Sequence, residues 1–91
     1  MAFSPQRAFG ERIRVLRQAA GMTQDDLAER CGLFRTYMSR IETGKANPTL
    51  TMIHALAQSL DVPVTALFDV SRPAPAKGVP VRTRLSRGRV R

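Results

Sequence analysis

An all-α fold of five short helices follows from three features of the chain. Apolar residues recur at helical spacing in successive short segments, Ser or Thr stands where several of these segments begin, and a glycine or a proline-bearing turn closes each one. The pattern is densest from Thr23 to Gly44, where two short amphipathic stretches meet at Gly32.

Taken in order, Ser4 and Pro5 open the first helix, Ser4 as N-cap and Pro5 at the first helical position, where its missing N–H costs nothing. Helix one then runs to about Ala20, with Phe9, Ile13, Leu16 and Ala20 on one face, and Gly21 stops it. Thr23 caps helix two, whose first turn carries Asp25 and Asp26, the sign of charge that the helix dipole favours there. Ala28, four residues before Gly32, is small enough to let the next helix approach closely. Gly32 takes positive φ without a Cβ penalty, so the chain ends one helix and turns sharply into another. On helix three, Met38 and Ile41 point back at Leu27 and Cys31 and leave Arg35, Thr36, Ser39 and Arg40 on the opposite face. On a helix lying in a major groove, that polar set is the one that reads base edges. Thr43 to Pro48 is a turn cluster, after which Thr49 caps helix four, with Leu50, Ile53, Leu56, Ala57 and Leu60 at helical period. A short fifth helix follows Val62 and Pro63. Its Val64, Leu67 and Phe68 exceed what so short an element needs to tuck onto a small core. With Val62 they predict either a dimer surface or a cap on the monomer core, and apolar spacing does not separate the two.

Composition bounds the function. Ninety-one residues with 43% apolar content, one Tyr and no Trp make one small domain rather than an enclosed substrate cavity. A single cysteine, Cys31, excludes an internal disulfide or a thiolate zinc site, and it lies on an apolar helix face. His54 has no Cys, Asp or Glu cluster beside it, so no metal or cofactor is predicted. No Ser/His/Asp set, paired carboxylates or phosphate-cradling Gly loop is present, and catalysis is not predicted. No apolar run approaches the roughly 20 residues that span a bilayer, and no signal peptide opens the chain, which predicts a cytoplasmic protein. The formal charge of +8 is uneven: residues 1–70 hold eight basic against seven acidic side chains, whereas residues 71–91 hold seven basic and no acidic ones. The chain therefore divides into a domain over 5–70 and a basic Pro/Arg-rich tail over 71–91, whose helix breakers predict flexibility. Within that tail, Val81 to Leu85 alternates in period two, as a short strand or a partner-ordered arm would.

From about Phe9 to Phe68 the chain resembles the lambda repressor/Cro-like, or XRE, family of helix-turn-helix regulators. The residues that carry the resemblance are Ile13-x-x-Leu16-Arg17, Gly21-x-Thr23-Gln24-x-x-Leu27-Ala28, Gly32, Ser39-Arg40-Ile41-Glu42-x-Gly44, Pro48 and the helix-four pattern ending at Leu60. The set is specific because it stands in order and at family spacing; a lone Thr-Gln would carry little. The resemblance implies that Arg35, Thr36 and Arg40 face base edges, with Ser39 between base and backbone contact. Arginine suits guanine O6 and N7, and the Thr36 methyl suits a thymine methyl. It implies that Gln24 bonds a phosphate at the start of helix two, where backbone N–H groups favour anions in any case. Tyr37 either bonds a phosphate or packs along helix three; Lys45 and Asn47, in the following turn, fit phosphate contacts. Arg17 and Glu42 are implied to form a structural ion pair between helix one and the end of helix three. Phe34 departs from the pattern, since the family places a polar cap there; it either packs locally or is exposed for an apolar base contact.

These readings predict a sequence-specific transcriptional regulator, a repressor or controller protein, that binds double-stranded operator DNA as a homodimer. A domain this small touches few base pairs, so two copies on inverted half-sites supply specificity. With no ligand-sensing domain after the fold, regulation falls to concentration, operator occupancy or a regulatory protein partner. The competing class is an antitoxin or partner-regulated module with the tail as docking arm. Against it, the tail offers few apolar anchors beyond Val79, Val81 and Leu85.

Overall fold

Hydroxyl side chains set three of the described helix starts. Ser4 Oγ accepts the Arg7 N–H at 3.2 Å, Thr23 Oγ1 accepts that of Asp26 at 3.0 Å, and Thr49 Oγ1 accepts that of Met52 at 3.1 Å. Asp26 completes the box by accepting the Thr23 N–H at 2.9 Å, and this bond, with the Thr23 hydroxyl next, holds the Asp26 carboxyl below the usual carboxylate range. The resulting elements are α1 (Pro5–Ala19), α2 (Gln24–Cys31), α3 (Arg35–Glu42), α4 (Leu50–Leu60) and a 3-10 turn, Val64–Leu67. They belong to a computed structural model that describes residues 3–69, among which no strand occurs. The tail over 71–91, with its Val81 to Leu85 alternation, lies outside the described residues.

Both α2 and α3 are eight residues long, too short to hold as isolated helices, so burial has to fix them. Ile13, Leu27, Met38, Ile41, Leu56 and Leu67 are the large side chains that lose all contact with solvent, at about 1.5–3 kcal/mol each. Gly32 ends α2 at φ 72°, and the Leu33 N–H reaches back to the Ala28 carbonyl at 2.8 Å, which closes the turn between α2 and α3. Ala28 is buried at that crossing.

A second close crossing carries no sequence signal. At Gly10 α1 meets α3 so tightly that a Cβ would overlap the Ile41 carbonyl oxygen and lie 2.8 Å from that of Glu42. Gly44, at φ 78°, packs the other side of the same seam, where a Cβ would lie 2.8 Å from Arg7 Cα. Arg12 is a further surprise. Its guanidinium is buried, with Nε donating to the Ala66 carbonyl at 2.8 Å and Nη2 without a hydrogen-bond partner among the described residues. The bond pins the 3-10 turn to α1.

The fifth element is a four-residue 3-10 turn rather than an α-helix: the Ala66 N–H reaches the Pro63 carbonyl at 2.9 Å and the Phe68 N–H the Thr65 carbonyl at 3.1 Å, each three residues back rather than four. Its tightness directs Ala66 and Leu67 inward together. Leu67 has no exposed surface and belongs to the monomer core rather than to a dimer surface. Val62 and Val64 are half-buried against the same core, whereas Phe68 stays 59% exposed while its ring packs 5.3 Å from that of Phe9.

Candidate nucleic-acid interface

The turn at Gly32 presents the start of α3 beside the start of α2, and six of the side chains singled out above line one open concavity of about 390 Å³ there: Gln24, Arg35, Thr36, Ser39, Arg40 and Lys45. Thr43, which sequence reasoning missed, completes the wall. Its hydroxyl donates to the Ser39 carbonyl at 2.9 Å, which closes the end of α3. Three cations and no acid line the surface. Such a concavity concentrates positive potential and suits a polyanion.

Each cation is held differently. Arg40 Nη2 donates to the Lys45 carbonyl at 2.9 Å, which lays the side chain along the turn after α3. Arg35 Nε lies 3.6 Å from Asp25 Oδ1, and both side chains are largely exposed. A pair so placed is worth little, so Arg35 can exchange the carboxylate for a phosphate or a base edge at small cost. Lys45 is exposed at the rim. Phe34, the N-cap of α3, supplies no side-chain acceptor and is 85% exposed, which removes local packing as its role. The first turn of α3 therefore has no capping side chain, and its N–H groups favour negative charge.

Behind the surface lies a buried brace. Arg17 Nε donates to Glu42 Oε2 at 2.6 Å and Arg17 Nη2 to Glu42 Oε1 at 3.1 Å, a two-pronged pair that links α1 to the last residue of α3. Arg17 Nη1 also donates to the Met22 carbonyl at 2.8 Å, fixing the turn between α1 and α2. Glu42 Oε1 takes one more bond, from Gln24 Nε2 at 3.0 Å. A carboxylate only accepts, so the Gln24 amide nitrogen is the atom turned toward it. The brace thus reaches the interface itself.

Three of the side chains named from the sequence as possible DNA contacts, Phe34, Tyr37 and Asn47, do not line the concavity. Tyr37 is half-buried against the core. Asn47 borders a separate, mostly apolar depression with Pro5, Phe9, Pro48, Ile53 and Phe68. Cys31 is half-buried, with its thiol 3.4 Å from Ser59 Oγ. Among the described residues no cluster of His, Cys, Asp and Glu is placed to hold a metal ion, and no helix is long and apolar enough to cross a membrane.

Comparison with known proteins places this geometry. A family model described as a helix-turn-helix domain matches residues 8–68. The chain is 38% identical over 58 residues to the immunity repressor protein of Bacillus phage phi105, covering 64% of this chain but only 40% of that protein. It is 39% identical over 62 residues to control protein C.BamHI of Bacillus amyloliquefaciens, covering 67% of this chain and 76% of that one. Among solved structures, the restriction-modification controller C.AhdI from Aeromonas hydrophila superposes with a TM-score of 0.70 at 39% identity, over 72% of this chain and 100% of that one. The controller C.Esp1396I, solved as a tetramer with its natural 35 base-pair operator, gives 0.66 at 32% identity, over 76% of this chain and 90% of that one.

Proposed function

The chain belongs to the lambda repressor/Cro-like (XRE) family of helix-turn-helix regulators, and on that premise we propose that it is a sequence-specific transcriptional regulator, a repressor or controller, that binds operator DNA as a homodimer. The observation that carries the proposal is the cationic concavity along α3 and the turn after it, in which Arg35, Thr36, Ser39 and Arg40 share one surface with Gln24 and Lys45. Arg35, Thr36 and Arg40 face the base edges, with Ser39 between base and backbone. Lys45 and the N-terminus of α2 at Gln24 take phosphates. Arg17 and Glu42 hold the reading helix in place from behind. Tyr37 and Asn47, to which the resemblance assigns phosphate contacts, lie outside the concavity itself.

Two copies meet through Phe68, supported by the half-buried Val62 and Val64, and beside Phe68 an apolar depression of about 180 Å³ is lined by Phe3, Pro5, Ala8, Phe9 and Leu67. A relative solved as a tetramer on its operator supports assembly on DNA. In such a dimer the two α3 helices stand about 34–36 Å apart, one turn of B-DNA. Selection from a random-sequence duplex pool with the purified full chain tests the proposal. Enrichment of a two-fold related site is the expected result; a pool that stays random refutes it.

A further inference from the structure

We propose that Phe34 is a specificity-determining residue that reads a thymine methyl group in the major groove, an inference that rests on the DNA-binding reading above. Among the described α-helices, α1, α2 and α4 begin with a hydroxyl side chain bonded to the first turn, and only α3 does not. The residue that takes the place of that cap is, among the described residues, the most exposed of the large apolar side chains, at 85%. Phe34 therefore contributes neither a capping bond nor core packing, and helix stability gives no reason for it.

Its position supplies one. Phe34 directly precedes Arg35 and Thr36, which line the cationic concavity, and the N-terminal residues of a reading helix are those that contact base edges. A phenyl ring carries no donor or acceptor, and the apolar group displayed in the major groove is the C5-methyl of thymine. A second copy of this chain is a poor occupant for the same ring, because Arg35, Arg40 and Lys45 of one surface would oppose the same cations of the other. The selected half-site should then hold a thymine next to the base read by Arg35.

The test replaces each thymine of the selected operator by deoxyuridine, which deletes the methyl and leaves base pairing unchanged. Wild-type protein should lose about fourfold in affinity at one such position, the worth of one buried methyl-sized group. Phe34→Ser should bind thymine and deoxyuridine duplexes alike at that position, while Phe34→Leu keeps most of the discrimination. Thermal melting of Phe34→Ser should show a domain at least as stable as wild type, because serine restores the missing cap. A thymine-to-deoxyuridine ratio that is the same in wild type and Phe34→Ser at every position overturns the inference. So does a wild-type protein indifferent to every replacement. Should wild type enrich no operator at all, the DNA-binding reading falls as well, and that failure is visible before any thymine is replaced.

Discussion

Gly10→Ala is the substitution for which local propensity and packing predict opposite signs. In a helix interior alanine is favoured over glycine by about 1 kcal/mol, so propensity alone would stabilise α1. The added Cβ, however, would overlap the Ile41 carbonyl oxygen and sit 2.8 Å from the Glu42 carbonyl oxygen, where ordinary contact begins at 3.4 Å. Both obstacles are backbone atoms, so no side-chain rotation relieves them and α1 must part from α3. Overpacking of this kind costs about 1–3 kcal/mol, and a rigid backbone obstacle puts Gly10 at about the top of that range. Subtracting the propensity gain leaves a net loss of about 2 kcal/mol. For a domain of this size each kcal/mol moves the melting temperature by about 4–8 °C, so Gly10→Ala should melt about 8–16 °C below wild type. Thermal unfolding followed by far-UV circular dichroism reads this directly. A variant that melts at or above the wild-type temperature would refute the placement of the α1–α3 crossing at Gly10, and with it the geometry that presents the reading face.

Glu42→Ala should destabilise the domain by about 3–5 kcal/mol in urea titrations, because it leaves the Arg17 guanidinium buried and unpaired; Glu42→Gln should fall between it and wild type. Arg35→Ala and Arg40→Ala should each cost about 1–3 kcal/mol of operator affinity and relax one position of the selected site, whereas Lys45→Ala should weaken all sequences alike. Selected-site profiles that do not change with either arginine would show that α3 is not the reader. The lowered Asp26 carboxyl makes a contribution that is complete above the ordinary carboxylate range and is lost as pH falls through its lower folded value. Wild type should therefore exceed Asp26→Asn in stability at neutral pH and converge with it in strong acid, as melts across that range would report.

How much of this was legible in the sequence depends on whether a residue's role is local or arises from a crossing. Ser4, Thr23, Thr49 and Gly32 act within a few residues of themselves, and the α-helices they delimit match the expected order, α1 ending one residue earlier than its apolar face suggested. Gly10 acts only across the α1–α3 seam. In a helical pattern a lone glycine reads as a weak position, and nothing local says what passes above it. Arg12 was equally silent, since a charge beside Ile13 looks like the flank of an amphipathic face until the Ala66 carbonyl is brought over it. Leu67 could have faced either way, and the tight 3-10 turn decided it. At the interface, side chains on α3 follow helical period and could be assigned to a face. Asn47 sits in a turn with no period, so its direction away from Lys45 had no precursor in the pattern.

The buried brace from Arg17 through Glu42 to Gln24 divides α3 into letters that can be rewritten and a hinge pin that cannot. Arg35, Thr36 and Ser39 point outward and can be exchanged, in principle, for the outward residues of another reader without disturbing the helix. Arg40 is exchangeable only together with the turn it grips through the Lys45 carbonyl. Glu42 has to travel with the host, because a grafted helix lacking it would lose the joint to α1 and release the Gln24 amide at the same stroke. A chimera that swaps the outward residues and retains Met38, Ile41 and Glu42 should inherit the donor's operator preference on this scaffold's frame, whereas transplanting a whole helix without the glutamate should lose both the fold and the preference.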